Sequence, residues 1–255
     1  ELSSVLTPTA QRKQVGAVGG GPAGLDAARV AGLRGHRVTP QERQGRLGGS
    51  MLLASTVHAE NEAYFQWLTQ QVKDSSVDLR LGTEASAELL FDLKPDAIVV
   101  ATGARVATPD IPGSDQPNVF SGAQLRRVME GQATAADFTF LPTPLRNLAT
   151  AFMRAISTYL KPALLRNITR LWLPLGRRVV IVGADLAAIE LAEFLCQRGR
   201  TVQILEAGKR VAPEVGHKRL TEHTDRLDRL GVTINTETAC EAITVAMVAK
   251  PTSGT

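Results

Sequence analysis

The 255-residue sequence contains no apolar run approaching the roughly 18 residues of a membrane span, which excludes an integral membrane helix. Its N-terminus lacks the charged-then-apolar layout of a secretory signal peptide, so a cytoplasmic location is the default expectation. Cysteine is scarce. Cys196 and Cys240 lie far apart and form no C-x-x-C, which argues against a disulfide scaffold, a zinc site and a redox-active dithiol. Any electrons handled here therefore need a bound cofactor. The four histidines, His36, His58, His217 and His223, show no metal spacing, and no Ser/His/Asp pattern or iron-sulfur cysteine cluster stands out.

Acidic residues are missing from one stretch. Between Phe138 and Ala184 there is no Asp or Glu, yet Arg146, Arg154, Lys161, Arg166, Arg170, Arg177 and Arg178 fall there. That segment accounts for more than the whole net charge of +4, so the overall balance is no signature of nucleic-acid binding. It reads either as a solvated helix face or as a surface for an acidic partner, a lipid headgroup or a nucleotide phosphate.

What is present is enough for a core. With 44% hydrophobic residues the chain suits one large or two modest globular domains. "QVGAVGGGPAGLDAARVAGLRGHRVTPQE" reads as a strand at Val15 to Val18, a glycine turn, a helix to about Leu33 and a second strand from Arg37 to Glu42. Gly19, Gly21 and Gly24 fill G-x-G-x-x-G: a tight turn, a close backbone approach to a pyrophosphate, and close packing of helix on strand. The helix N-terminus adds amide donors and positive dipole. Glu42 follows at about the 20-residue spacing of a ribose-binding carboxylate. Pro40 falls in the second strand, which predicts a short or bulged element, and Gly16 thins the first. "IVVATGA" reads as a buried parallel strand ending in a glycine turn.

The layout then repeats. "GRRVVIVGADLAAIELAEFLCQRGRTVQILEAGKR" predicts a strand at Val179 to Val182, a helix through Leu195 and a strand at Val202 to Leu205 ending in Glu206. Glu206 lies as far beyond Gly183 as Glu42 lies beyond Gly19. The fold class is therefore α/β, as two consecutive Rossmann-like βαβ units joined by a helical connector. The expected domains are 1–131, a basic amphipathic connector over 132–176, and a second unit over 177–255 that looks incomplete. In the connector, Leu145, Leu148, Ala149, Phe152, Ile156 and Leu160 recur at helical spacing, with Arg154, Ser157 and Lys161 elsewhere and Pro162 ending the run. It reads as a cap across the two domains or as a docking helix for a partner.

The second turn departs from the first. Asp185 stands where the second glycine should be, and Ala188 replaces the third, a change the fingerprint tolerates. Asp185 places bulk and charge against the pyrophosphate, a penalty on the order of a few kcal/mol. Nicotinamide nucleotide binding is expected to weaken in consequence, NADH being favoured over NADPH by Glu206, while Arg210 keeps the phosphate form open. The competing reading is that Asp185 is a helix N-cap.

"GGGPAGLDAARVAGLRGH", "ERQGRLGGSMLLAS", "LRLGTEAS" and "DAIVVATGARVATPDIPG" resemble, in order and spacing, the C-terminal flavoprotein region of the 2,4-dienoyl-CoA reductase and trimethylamine dehydrogenase group of NADH:flavin oxidoreductases. The likeness covers nearly the whole chain apart from the connector. It implies that Gly19, Gly21, Pro22, Ala23, Gly24, Glu42 and Arg43 hold the ADP half of FAD, with the Arg46 to Gly49 loop near the pyrophosphate or ribityl chain. Ala85 would face the adenine, and Ala101, Thr102 and Gly103 would close the first domain on the nucleotide. Gly183, Asp185 and Glu206 mark the NADH site. In such proteins a barrel carrying FMN precedes this region and a return segment with a Gly-Asp motif follows it. Neither is in the sequence, which begins at Glu1 without a methionine and reads as a fragment or a truncated relative. Two functions stay open: an FAD-dependent NAD(P)H oxidoreductase or its flavin-binding fragment, and a non-catalytic module that holds FAD or ADP. No catalytic acid, base or metal ligand can be named.

Overall fold

The short, nearly continuously buried runs Gln14–Val18 and Arg37–Glu42 form β1 and β2, with the helix α1, Pro22–Leu33, between them. The computed structural model describes residues 6–104, 107, 109–156, 159, 161–171, 173, 175–244 and 248–251. In chain order α2 (Met51–Val57), α3 (Ala59–Lys73), β3 (Arg80–Leu81), α4 (Ala87–Asp92) and β4 (Ala97–Val100) complete a parallel sheet of order β3-β2-β1-β4. The chain continues through α5 (Gly122–Met129), a 3-10 turn at Ala135–Phe138, α6 (Thr143–Ile156) and α7 (Pro162–Leu171). It then builds β5 (Arg178–Val182), α8 (Leu186–Cys196), β6 (Thr201–Leu205), α9 (His217–Arg229) and β7 (Thr233–Asn235), a parallel sheet of order β5-β6-β7. The antiparallel pair β8 (Thr238–Ala242) and β9 (Val248–Pro251) closes the described chain.

Contacts divide the chain into two units. The first comprises 1–106, 123–137 and 144–163, and the second 107–122, 138–143 and 164–255. In this division α6 falls in the first unit and most of α7 in the second. The segment 107–122, expected in the first domain, joins the second because the Ile243 amide donates to the Pro112 carbonyl at 2.8 Å. In the first unit Leu25, Leu47, Leu68 and Val72 form one apolar cluster, and Val15, Ala28 and Val38 another. Ile189, Ala192, Leu195, Val202, Ile204 and Leu227 are among the buried residues of the second.

The duplication extends to details. Gln14 pairs with Arg37 and Arg178 with Thr201, so both βαβ units share one register offset. Both helices end in Schellman closures on a left-handed glycine: His36 to Ala31 around Gly35, and Arg200 to Leu195 around Gly199.

Pro40 causes neither the shortening nor the bulge that its presence predicts, and β2 runs in regular register to Glu42. Alternate residues explain it. The Arg37 amide and Gln41 carbonyl face β1, whereas Val38 and Glu42 offer their carbonyls on the β3 side, so the missing donor of Pro40 points toward β3. There the ladder begins only at Gln41. The expected burial of "IVVATGA" is also corrected. As the last strand of its sheet, β4 leaves Val100 72% exposed.

In the basic segment, Leu145, Leu148 and Phe152 of α6 form an exposed apolar stripe, and Ser157 and Leu160 lie outside the described residues. Pro162 opens α7, as a proline without an amide to donate can at a first helical position. The Arg198 guanidinium ties α7 to α8, donating to Thr169 Oγ1 at 3.0 Å and to the Arg166 carbonyl at 3.2 Å, and stacking 3.3 Å over the Phe194 ring. Burial, then Arg170 and Arg166, push it down to about 10.

Asp137 anchors the 123–137 stretch of the first unit. It accepts from Arg127 Nη2 at 2.5 Å and from the Thr134 amide and hydroxyl at 2.8 and 2.9 Å, with its side chain fully buried. Burial alone would raise its pKa, but the Arg127 and Thr134 hydrogen bonds outweigh burial and hold it below the ordinary carboxylate value. A carboxylate with a depressed folded pKa contributes stability that is complete above its unfolded pKa and is lost as pH falls toward the folded one. Urea midpoints should therefore drop below about pH 4 in the wild type. Asp137→Asn should be less stable at neutral pH and lose less on acidification.

Candidate functional site

The first glycine turn packs as tightly as backbone permits at two positions and is open at the third. Gly19 adopts φ +110°, and a Cβ on it would lie 2.3 Å from the Ala101 carbonyl oxygen. One on Gly24 would lie 1.9 Å from the Gly19 oxygen, so the helix can approach the turn only without a side chain there. A Cβ on Gly21 would meet nothing within 4 Å. Gly21 is also the N-cap of α1, no side chain caps that helix, and Pro22 occupies its first position. Ala23 and Gly24 thus carry amides at an open helix N-terminus beside an unfilled approach.

The loop from Arg46 to Gly49 lies against this turn, with the Gly48 amide on the Gly20 carbonyl at 2.9 Å and Gly49 beside the Gly21 Cα. Arg46 is half-buried, which pushes its guanidinium pKa down, while Glu130 opposes the shift. Glu130 is missed by sequence reasoning. Its buried carboxylate pairs with Arg126 Nε at 2.7 Å and lies 3.8 Å from the exposed Arg43. The i, i+4 spacing of Arg126 and Glu130 was the available signal. Ala101 touches the turn directly, and Thr102 and Gly103 continue from it exposed to solvent. Ala85 is half-buried between β3 and α4, two strands along from β1.

Glu42 does a job that its sequence position does not announce. Its two oxygens accept from the Gly20 amide at 2.6 Å and the Gln44 amide at 2.8 Å, so it staples the end of β2 to the turn. The remaining lone pairs still leave room for a ribose hydroxyl.

The second turn is built alike. Glu206 accepts from the Ala184 amide at 2.8 Å and the Gly208 amide at 2.6 Å, and Gly183 adopts φ +97°. The difference is at the helix start. Asp185 is the N-cap of α8 and accepts from the Ala188 amide at 2.8 Å, so the capping alternative describes its geometry. A cavity of about 540 Å³ opens beside it, lined by Ala184, Asp185, Glu206, Lys209, Arg210 and Glu214 among others.

Comparison with known proteins matches residues 13–253 to the pyridine nucleotide-disulphide oxidoreductase model. The chain belongs to that family. Its members are flavin-dependent oxidoreductases that use pyridine nucleotides, which agrees with the resemblance carried by the glycine motifs. The chain is 30% identical over 250 residues to bilirubin reductase of Mediterraneibacter gnavus, covering 97% of this chain and 32% of that protein. It is 27% identical over 227 residues to NADH oxidase of Thermoanaerobacter brockii, covering 88% and 29%. Among solved structures, a 2-naphthoyl-CoA reductase complex superposes with a TM-score of 0.71 at 24% identity, over 98% of this chain and 32% of that one. The chain therefore spans about a third of the length of these relatives. Cys196 and Cys240 are both free thiols. Among the described residues there is no cluster suited to a metal ion and no helix long and apolar enough to cross a membrane.

Proposed function

We propose that this chain is the dinucleotide-binding part of an FAD-dependent NAD(P)H oxidoreductase. The first turn takes the ADP half of FAD and the second takes a nicotinamide nucleotide. The observation that carries the reading is the open approach at Gly21, flanked by two glycines that no other residue could replace and fronted by an uncapped helix. A pyrophosphate fits that cradle because amide donors and the helix dipole meet it where no side chain intervenes. Arg43, Arg46 and Arg126 all interact with the buried carboxylate of Glu130 beside the loop that packs on this turn.

When bound, FAD supplies a ring that takes a hydride from NAD(P)H and a proton from water, releasing NAD(P)+. The chain's own residues bind and orient. Glu42 and Glu206 hold their turns in shape, and the two adenosine riboses are read from those carboxylates. Lys209 and Arg210 on the second cavity would accommodate a 2′-phosphate, whereas Glu206 favours the free hydroxyl of NADH. The substrate-reducing step belongs to the rest of such a protein, the FMN barrel that the resemblance implies.

The test is retention of flavin. Purified protein mixed with FAD and desalted should keep a stoichiometric flavin spectrum, and NADH added without oxygen should bleach it. Retention of ADP with rejection of FAD would favour a non-catalytic nucleotide module, and binding of neither would overturn the reading.

A further inference from the structure

The two turns differ in what already occupies them. In the first, among the described residues, Gly20 is the one turn amide held by a side chain, through Glu42, and α1 has no side-chain cap. In the second, three amides are taken by three carboxylates of the chain: Ala184 by Glu206 at 2.8 Å, Ala188 by Asp185 at 2.8 Å, and Leu186 by Glu214 Oε1 at 2.9 Å. The Glu206 contact is common to both units. Those of Asp185 and Glu214 are peculiar to the second, and they fall on the first turn of α8, where a dinucleotide pyrophosphate would seek its donors.

Glu214 comes from the segment between β6 and α9, well separated in sequence from the turn it caps. The segment is fastened over the turn. The Ala212 amide donates to the Ala184 carbonyl at 2.7 Å, Ala212 is fully buried, and it adopts φ +38°, a left-handed conformation that alanine rarely takes. The same segment contributes Lys209, Arg210 and Pro213 to the wall of the cavity beside α8. A nucleotide entering that cavity meets two carboxylates already serving as the anion of the helix terminus.

We propose that Glu214 is a built-in competitor for the pyrophosphate of the nicotinamide nucleotide, and that the second site opens when its exposed side chain swings off the Leu186 amide while Ala212 keeps the segment fastened. This rests on the reading that the second unit is the nicotinamide nucleotide site. Asp185 cannot leave in the same way, because it is part of the turn, whereas Glu214 is carried on a strap that joins two elements. Affinity for NADH is therefore set by how firmly Glu214 holds the Leu186 amide.

The experiment is a fluorescence titration of NADH against the full chain, wild type, Glu214→Ala, Glu214→Gln and Asp185→Gly/Glu214→Ala, at fixed ionic strength. Adenosine, which has no phosphate, serves as the comparison ligand. Glu214→Ala should bind NADH at least tenfold more tightly than wild type with adenosine unchanged, and Glu214→Gln, which keeps an acceptor oxygen but no charge, should gain less. A wild type that already binds NADH and variants that bind it equally, or more weakly, would overturn the competitor role and leave the nicotinamide site standing. Absence of NADH binding in all four proteins would overturn both. Thermal melts of each variant confirm that the unit is folded, since Glu214 lies outside the buried core.

Discussion

Gly21→Asp should strip the protein of FAD while leaving it folded, and Gly24→Ala should do the reverse, damaging the fold before any ligand is added. Both lie in one turn, and their environments differ. Gly21 has φ −81° and ψ 179°, a backbone that any residue adopts, and a Cβ on it meets nothing within 4 Å. The protein has no objection to a side chain there. Only the pyrophosphate does, since like charges a few ångströms apart cost on the order of a few kcal/mol, and each 1.4 kcal/mol is about a factor of ten in affinity. FAD affinity should fall about a hundredfold or more on that basis. At Gly24 even a methyl group lies 1.9 Å from the Gly19 carbonyl oxygen, which is backbone and has no rotamer to escape into. The turn must open, at a cost of about 3 kcal/mol. Urea midpoints for the apoproteins and flavin spectra after desalting separate the two effects. Retention of FAD by Gly21→Asp would remove the pyrophosphate from this turn, and normal stability of Gly24→Ala would mean that helix and turn are not in the contact described.

The two βαβ units were legible because the physics that forms them is local. A glycine at φ +110° or +97°, a helix directly after it and a second strand closed by a glutamate all fall within one short window of sequence. Asp185 was legible as one of two alternatives, since a side chain that caps its own helix needs only the three residues that follow. Glu214 and Glu130 were not. The first reaches the α8 terminus from beyond β6, and although i, i+4 spacing links Glu130 to Arg126, no spacing rule links it to Arg43. The grouping of 107–122 with the second unit is equally non-local. The chain returns to pair Pro112 with Ile243, where a Cβ on Gly113 would sit 2.0 Å from the Ile243 carbonyl, and such a contact leaves no mark in the local pattern. Pro40 misled because the rule about prolines in strands depends on which neighbour the missing amide would face, and that is a property of the sheet.

Glu42→Gln and Glu206→Gln should both loosen their turns in the absence of any nucleotide, Glu42→Gln by more. A carboxylate serves two amide donors at once, Gly20 and Gln44 in the first unit, Ala184 and Gly208 in the second. A glutamine offers one acceptor oxygen, and its NH2 group turns a donor toward the other amide. One backbone donor is then left unmet. Glu42 is buried, so the stranded amide gains no water and the cost is about 2 kcal/mol or more. Glu206 is half-buried, solvent replaces part of what is lost, and the cost is about 1 kcal/mol. Amide hydrogen exchange reads this residue by residue: Gly20 or Gln44 should exchange faster in Glu42→Gln, Ala184 or Gly208 in Glu206→Gln, each without effect on the other unit's turn. The comparison separates two roles that the sequence pattern merges. A glutamate that served only the ribose hydroxyls would leave the exchange of the free protein untouched and change nothing but nucleotide affinity. A glutamate that first builds the turn and then reads the ribose changes both, and unchanged exchange in Glu42→Gln would return it to the first role.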